Sequence, residues 1–139
     1  MSAIAAITLA DGLATPVNHT FAPVSIDPMG VAQWADRSGG IALGYPVITF
    51  KVKQPTKLAL NYRVTAKVVT PVLEVTSPST ASGIQPAPTK AYDLIGNIEF
   101  ILPERSTLAQ RQVFFSYVRN FLANAPVTTA AVENFEAVY

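Results

Sequence analysis

Apolar and polar positions alternate with a period of two through most of this chain and change to a period near 3.6 only toward its C-terminal end. Alternation is the mark of half-buried strands, and the longer period that of an amphipathic helix. ITLADGLATPV has two apolar runs around Asp11-Gly12, a pair suited to a type I′ turn, and predicts an N-terminal hairpin within residues 1–22. Asp27-Pro28 and Met29-Gly30 mark a turn before a short strand over 31–37, which Ser38-Gly39-Gly40 ends. YPVITFKVK (45–53) and LALNYRVTAKVV (58–69) are strands joined by Gln54-Pro55-Thr56. Residues 70–76 extend the meander, with Pro71 expected to break or bulge it. SPSTASGIQPAPTKA (77–91) is an exposed loop of small residues and prolines, and YDLIGNIEFIL (92–102) is the last strand. Thr107 with Gln110 fits a capping box for a helix to about Ala123, and Pro126 opens a second short helix through VTTAAVENFEAV. Strands first and helices last predict an α+β fold: N-terminal hairpin, antiparallel meander sheet over 31–102, and two helices within 106–138 on one side of it.

Sorting the two long strands by parity gives two unlike faces. Ile48, Phe50 and Val52 fall with Leu58, Leu60, Tyr62, Val64, Ala66 and Val68; Val47, Thr49, Lys51 and Lys53 fall with Lys57, Ala59, Asn61, Arg63, Thr65 and Lys67. If the strands pair, one face is apolar and the other is basic and hydroxylated. A solvated sheet face is one reading of the second. The other is a surface for an anion, because cations attract phosphates while Thr and Asn can hydrogen-bond bases or riboses. Tyr62 falls on the apolar side, which leaves no aromatic stacking platform among the cations.

The long helix poses a separate problem. At about 100° per residue, Leu108, Val113, Phe114, Phe115, Tyr117, Val118, Phe121 and Leu122 sweep roughly 220°, twice the stripe that one sheet covers. The second helix is short and offers few apolar residues, among them Val132 and Phe135. The remainder is expected to be buried by a second copy of the chain, with Leu108, Phe114, Phe115, Val118, Phe121, Leu122 and Phe135 in the interface of an obligate homodimer.

Composition supports both readings. The 139 residues suit one domain, and 50% hydrophobic against 14% charged residues is apolar enough to call for a buried interface. The net charge of +1 says little, but no acid occurs between Asp36 and Glu74, an interval holding Arg37, Lys51, Lys53, Lys57, Arg63 and Lys67. The chain has no cysteine and a single histidine, His19, read as a surface residue. No metal-ligand spacing, glycine-rich phosphate loop or other cofactor motif occurs, so no enzyme, metal or cofactor is expected. MSAIAAITLA lacks a basic start and reads as a strand with no export, and no apolar run is long enough to span a membrane.

ITFKVKQPTKLALNYRVTAKVVTP, residues 48–71, resembles the central hairpin of the coat proteins of single-stranded RNA bacteriophages, the levivirus family. The shared features are the Gln54-Pro55-Thr56-Lys57 turn, Asn61-Tyr62-Arg63-Val64, Lys67 and Pro71. Val118-Arg119 in the helix, Tyr139 and the order of elements are also similar. The resemblance implies a homodimer whose sheets join edge to edge, helices that clasp the partner, and an icosahedral shell. It implies a location in the virion after synthesis in the bacterial host cytoplasm, and partnership with single-stranded genomic RNA and a maturation protein. In that family a stem-loop at the replicase start is often bound, which represses translation and marks the genome for packaging. By position, Thr49, Asn61, Arg63 and Thr65 fall where the family contacts RNA, with Lys51, Lys53, Lys57 and Lys67 beside them. Lys51 departs from the pattern, since relatives often carry a small hydroxyl residue there, and favours phosphate contact over a snug adenine pocket. In the last strand Asn97 and Glu99 are the implied RNA-facing residues, with Asp93 as rival. The loop at 77–91 resembles one that lies around the symmetry axes of the shell. The alternative is a small dimeric RNA-binding protein that forms no shell.

Overall fold

The computed structural model describes residues 3–75, 83 and 86–138. Six strands form one antiparallel sheet in sequence order: β1 (Ile7–Ala10), β2 (Asn18–Ile26), β3 (Val31–Ala35), β4 (Val47–Lys53), β5 (Asn61–Leu73) and β6 (Lys90–Pro103). Helix α1 (Leu108–Leu122) follows, then a π-helical turn (Ala125–Thr129) and the short α2 (Ala130–Asn134). The α+β order is the one the periodicity predicts.

Local chemistry explains where the elements start and stop. The β1–β2 hairpin forms, but not through a two-residue Asp-Gly turn. The Asp11 carboxylate instead accepts from the N–H groups of Leu13 (3.3 Å) and Val17 (3.1 Å), closing a wider loop, and β2 runs on to Ile26. The Asp27 carboxylate accepts from Met29 and Val31 (2.9 Å each), and Gly30 takes a φ of 76°, so the β2–β3 turn falls where expected. Strand β5 begins at Asn61, not at residue 58. Thr56 and Ala59 exchange backbone hydrogen bonds in the connection, which leaves Lys57 and the fully exposed Leu58 outside the strand.

Pro71 neither breaks nor bulges β5. It pairs with Asp93, and the irregularity falls one step later, between Val72 and Leu73. The β4 ladder stops at the Val47–Val69 pair, so beyond it β5 has a free edge where a missing N–H costs nothing. Pro23 in β2 likewise lies past the last β1 partner, Phe21, beside a bulge before Ser25. The longer β5 pairs with a longer β6, which takes in Lys90 and Ala91; most of the predicted loop at 77–91 lies outside the described residues.

Thr107 caps α1 as the sequence predicts, accepting from the Gln110 N–H while the Gln110 side chain accepts from the Thr107 N–H. Asn124 caps the π-helical turn through Val127 N–H. The second helix is much shorter than its apolar pattern suggests, because Phe135 at φ 58° takes a left-handed conformation that ends it.

The buried core is small: Phe21, Trp34, Ala35 and Asp36. It lies where the N-terminal segment crosses the sheet, and Trp34 Nε1 donates to Ala5 O at 2.8 Å. Across β4, β5 and β6 the apolar face is only partly covered. Phe50, Val52 and Ile98 remain about two-fifths exposed. Phe100 meets Phe114 and Phe115 of α1 edge-on, both at 6.0 Å between ring centroids, which places the helix on this side of the sheet.

Candidate nucleic-acid interface

Register builds the opposite face row by row. Thr49 pairs with Lys67 and Lys67 with Asn97; Lys51 pairs with Thr65 and Thr65 with Glu99; Lys53 pairs with Arg63 and Arg63 with Ile101. Residues paired in an antiparallel sheet point to the same side, so all of these share one face. Six of them, Thr49, Lys51, Thr65, Lys67, Asn97 and Glu99, line a shallow concavity of about 430 Å³. Thr49, Lys51 and Thr65 are half-buried in its floor, whereas Lys67, Asn97 and Glu99 stand exposed at its rim. Asn61, exposed, begins β5 at the far end of the same face.

The structure thus gathers nearly all the residues singled out by parity. Lys57 and Ala59 are the exceptions, because the connection between β4 and β5 removes them from the strand. Tyr62 pairs with Leu102 on the apolar side, as predicted, so among the described residues no aromatic ring stands with the cations. Val31 and Gln33 of β3, paired with Lys51 and Thr49, belong to the face and escaped the sequence reading. Their signal was the alternation of VAQWA around the inward Trp34. Asn97, Glu99 and Asp93 share one parity on β6, so parity does not choose between them. Of the three, only Asn97 and Glu99 line the concavity; Asp93 lies about 13 Å along the strand from Asn97 and is tied to Lys90 at 2.7 Å.

The face is not free of acid. The run from Asp36 to Glu74 lacks acids along the chain, but β6 brings Glu99 alongside β5, and Arg63 Nε contacts Glu99 Oε1 at 3.1 Å. Both side chains are about half exposed. One of the expected phosphate-binding cations is therefore paired already, while among the described residues Lys51, Lys53 and Lys67 have no ion pair.

On the helix side, His19 bridges the β1–β2 loop to the end of β3. Its Nδ1 lies 2.9 Å from Asp36 Oδ2 and its Nε2 lies 3.2 Å from Asp11 Oδ2. A neutral imidazole has one N–H, so two carboxylate partners are satisfied together only by the protonated ring. The hydrogen bond to Asp36, and secondly that to Asp11, raises the histidine above its usual range. The Ser38 and Val17 backbone N–H groups lead in holding Asp36 and Asp11 below theirs. His19 is thus a structural staple. Among the described residues no cluster of His, Cys, Asp and Glu is placed to hold a metal ion, and no helix is long and apolar enough to cross a membrane.

The residues assigned to a dimer interface stand largely uncovered on α1. Leu108, Phe114, Phe115, Phe121 and Leu122 are all exposed, Val118 is half-buried, and Phe135 is 92% exposed at the end of α2.

This architecture is shared with particle-forming proteins. The fold matches the virus-like particle of bacteriophage ESE058 with a TM-score of 0.89 and 34% identity, covering 99% of this chain and 100% of that one. The virus-like particle of bacteriophage NT-214 matches with a TM-score of 0.87 and 28% identity over 99% and 100% of the two chains. The protein capsid of bacteriophage GA, at 20% identity, shares the fold with a TM-score of 0.70 over 94% of each chain. No curated protein sequence matches the chain. The levivirus coat protein family matches residues 2–139, a span that takes in the two-faced hairpin, the uncovered helix and every strand between them, and to that family this chain belongs.

Proposed function

We propose that this chain, a structural coat protein of the virion and not an enzyme, acts as a homodimer that assembles into an icosahedral shell and holds single-stranded genomic RNA against its Lys/Thr face. Membership of a coat protein family sets aside the non-capsid alternative. In this reading residues 1–139 work as one coat domain. The α1 residues and Phe135 face a second copy, and the shell also takes in a maturation protein. Thr49, Lys51, Lys53, Asn61, Arg63, Thr65, Lys67, Asn97 and Glu99 face the RNA, with Lys57 at the margin. A stem-loop of the genome bound there represses translation.

One observation carries the reading: the sheet has an apolar face toward the helix and a cationic, hydroxylated face on which none of the described elements packs. The helix side takes the partner protein, which leaves the cationic side for the polyanion. Each cation that meets a phosphate releases condensed counterions, so binding weakens with salt by about 0.7 in log–log slope per single-strand contact. In a salt titration of RNA binding to purified protein, Lys51→Ala with Lys67→Ala flattens the slope by about 0.7 for each lysine on a phosphate. An unchanged slope means that RNA lies elsewhere. Thr49→Ala or Asn61→Ala changes which RNA is preferred and leaves the slope alone.

A further inference from the structure

We infer that Arg63 and Glu99 act as one unit that reads an unpaired guanine, rather than as a phosphate contact beside a stray acid. The inference rests on the proposal that RNA lies on this face. Glu99 is the anomaly there: a half-exposed carboxylate among Lys51, Lys53 and Lys67, on a surface where each phosphate would be repelled by it. Stability does not account for the pair, because an exposed ion pair contributes little. Its chemistry does suit a base. The contact engages Arg63 Nε and one carboxylate oxygen, 3.1 Å apart, so the guanidinium retains its terminal N–H donors and the carboxylate retains lone pairs. Donors therefore stand beside an acceptor.

Single-stranded RNA presents the Watson–Crick edges of its bases to such groups. Guanine offers O6 as acceptor and then two adjacent donors, N1–H and the N2 amine. Arg63 donates to O6 while the Glu99 carboxylate accepts from both donors. Adenine, cytosine and uracil have only one donor nitrogen on that edge and leave part of the carboxylate unsatisfied. The neighbouring positions fit a base as well. Ile101, paired with Arg63 and half exposed, gives an apolar seat for a ring, and the Thr65 hydroxyl lies between Glu99 and Lys51 in the adjoining row. A ribose hydroxyl could also donate to Glu99, but every nucleotide has one, so it produces no preference among bases.

The test uses purified full-length protein and short single-stranded RNAs that alternate uridine with guanosine, inosine, adenosine or cytidine. Inosine is guanosine without the N2 amine. Wild-type protein binds the guanosine strand more tightly than the inosine strand by roughly fivefold or more, the span of a bidentate base contact. In Glu99→Gln that gap closes. Arg63, released from its partner, becomes available to phosphate, so binding of the adenosine and cytidine strands strengthens, the guanosine strand loses its advantage over inosine, and the salt slope steepens by up to about 0.7. Equal wild-type binding of the guanosine and inosine strands, or a gap that survives Glu99→Gln, overturns the guanine assignment while leaving RNA on the face. Binding that does not respond to Lys51→Ala and Lys67→Ala overturns the underlying placement instead.

Discussion

Phe121 offers the sharpest test of the dimer. It is 59% exposed on α1, whereas Phe114 and Phe115 also touch Phe100 of their own chain, so a change at Phe121 disturbs the monomer least. A buried aromatic side chain covers about 200 Å². The exposed fraction of Phe121 then leaves about 120 Å² to be buried by a partner, worth about 3 kcal/mol at 25 cal/mol per Å². Two-fold symmetry applies that loss twice, about 6 kcal/mol for the dimer, and an unpaired carboxylate forced into the same contact adds several more. Phe121→Asp is therefore expected to raise the dimer dissociation constant by at least about four orders of magnitude. Sedimentation velocity at micromolar protein should show monomer, or no soluble protein if the monomer does not fold alone. Phe121→Leu keeps an apolar side chain and stays dimeric. A Phe121→Asp protein that sediments as a dimer like the wild type would refute the placement of this residue in an interface.

Two further outcomes are expected. The His19 staple makes the N-terminal hairpin sensitive to pH with a definite sign. The raised histidine contributes fully below its ordinary value near 6.5 and loses that contribution as pH rises through its elevated value; the depressed Asp11 and Asp36 contribute above about 3.9 and lose it as pH falls through theirs. Amide protection in β1 and β2, measured against the base-catalysed exchange of the unfolded chain at each pH, should thus be greatest between the carboxylate range and the raised histidine, and should fall in mild alkali. His19→Gln should remove the alkaline change, and a wild-type hairpin indifferent to pH on that side would refute the staple. At the helix start, Thr107→Ala removes the acceptor of the Gln110 N–H and should cost about 1 kcal/mol in urea unfolding at fixed protein concentration; an unshifted midpoint would show that the cap contributes nothing.

Parity made the candidate face legible because β4 and β5 carry unlike side chains on their two sides, so only one register keeps the apolar set together. Thr49, Lys51, Arg63, Thr65 and Lys67 followed from that alone. Other features needed distant partners to be known. Pro71 looks like a breaker until β4 is seen to stop at Val47, which frees the β5 edge. Asp11-Gly12 looks like a tight turn until the Asp11 carboxylate is seen to hold Val17 and His19. The acid-free stretch was true of the chain and false of the surface, because the antiparallel pairing of β6 with β5 sets Glu99 against Thr65.

The uncovered helix and the mixed-charge face have a common physical origin. A strand exposes two sides at each step, and this chain builds only one layer over one of them. That layer is thin: α1 reaches the sheet at Phe100 yet leaves Phe121 and Leu122 about half exposed, and Phe50 and Ile98 keep two-fifths of their surface. Packing more of the chain onto its own sheet would have needed a longer second helix, and Phe135 in a left-handed conformation ends that helix early. The apolar surface that remains is contiguous with the helix, so a second copy can cover it without touching the opposite face. Because the proposed function puts protein association and RNA binding on opposite sides of the same strands, a substitution at Lys67 should leave the dimer intact and one at Phe121 should leave the charge of the opposite face unchanged. In that proposal the separation lets one small sheet serve as both the wall of a shell and the lining of its interior.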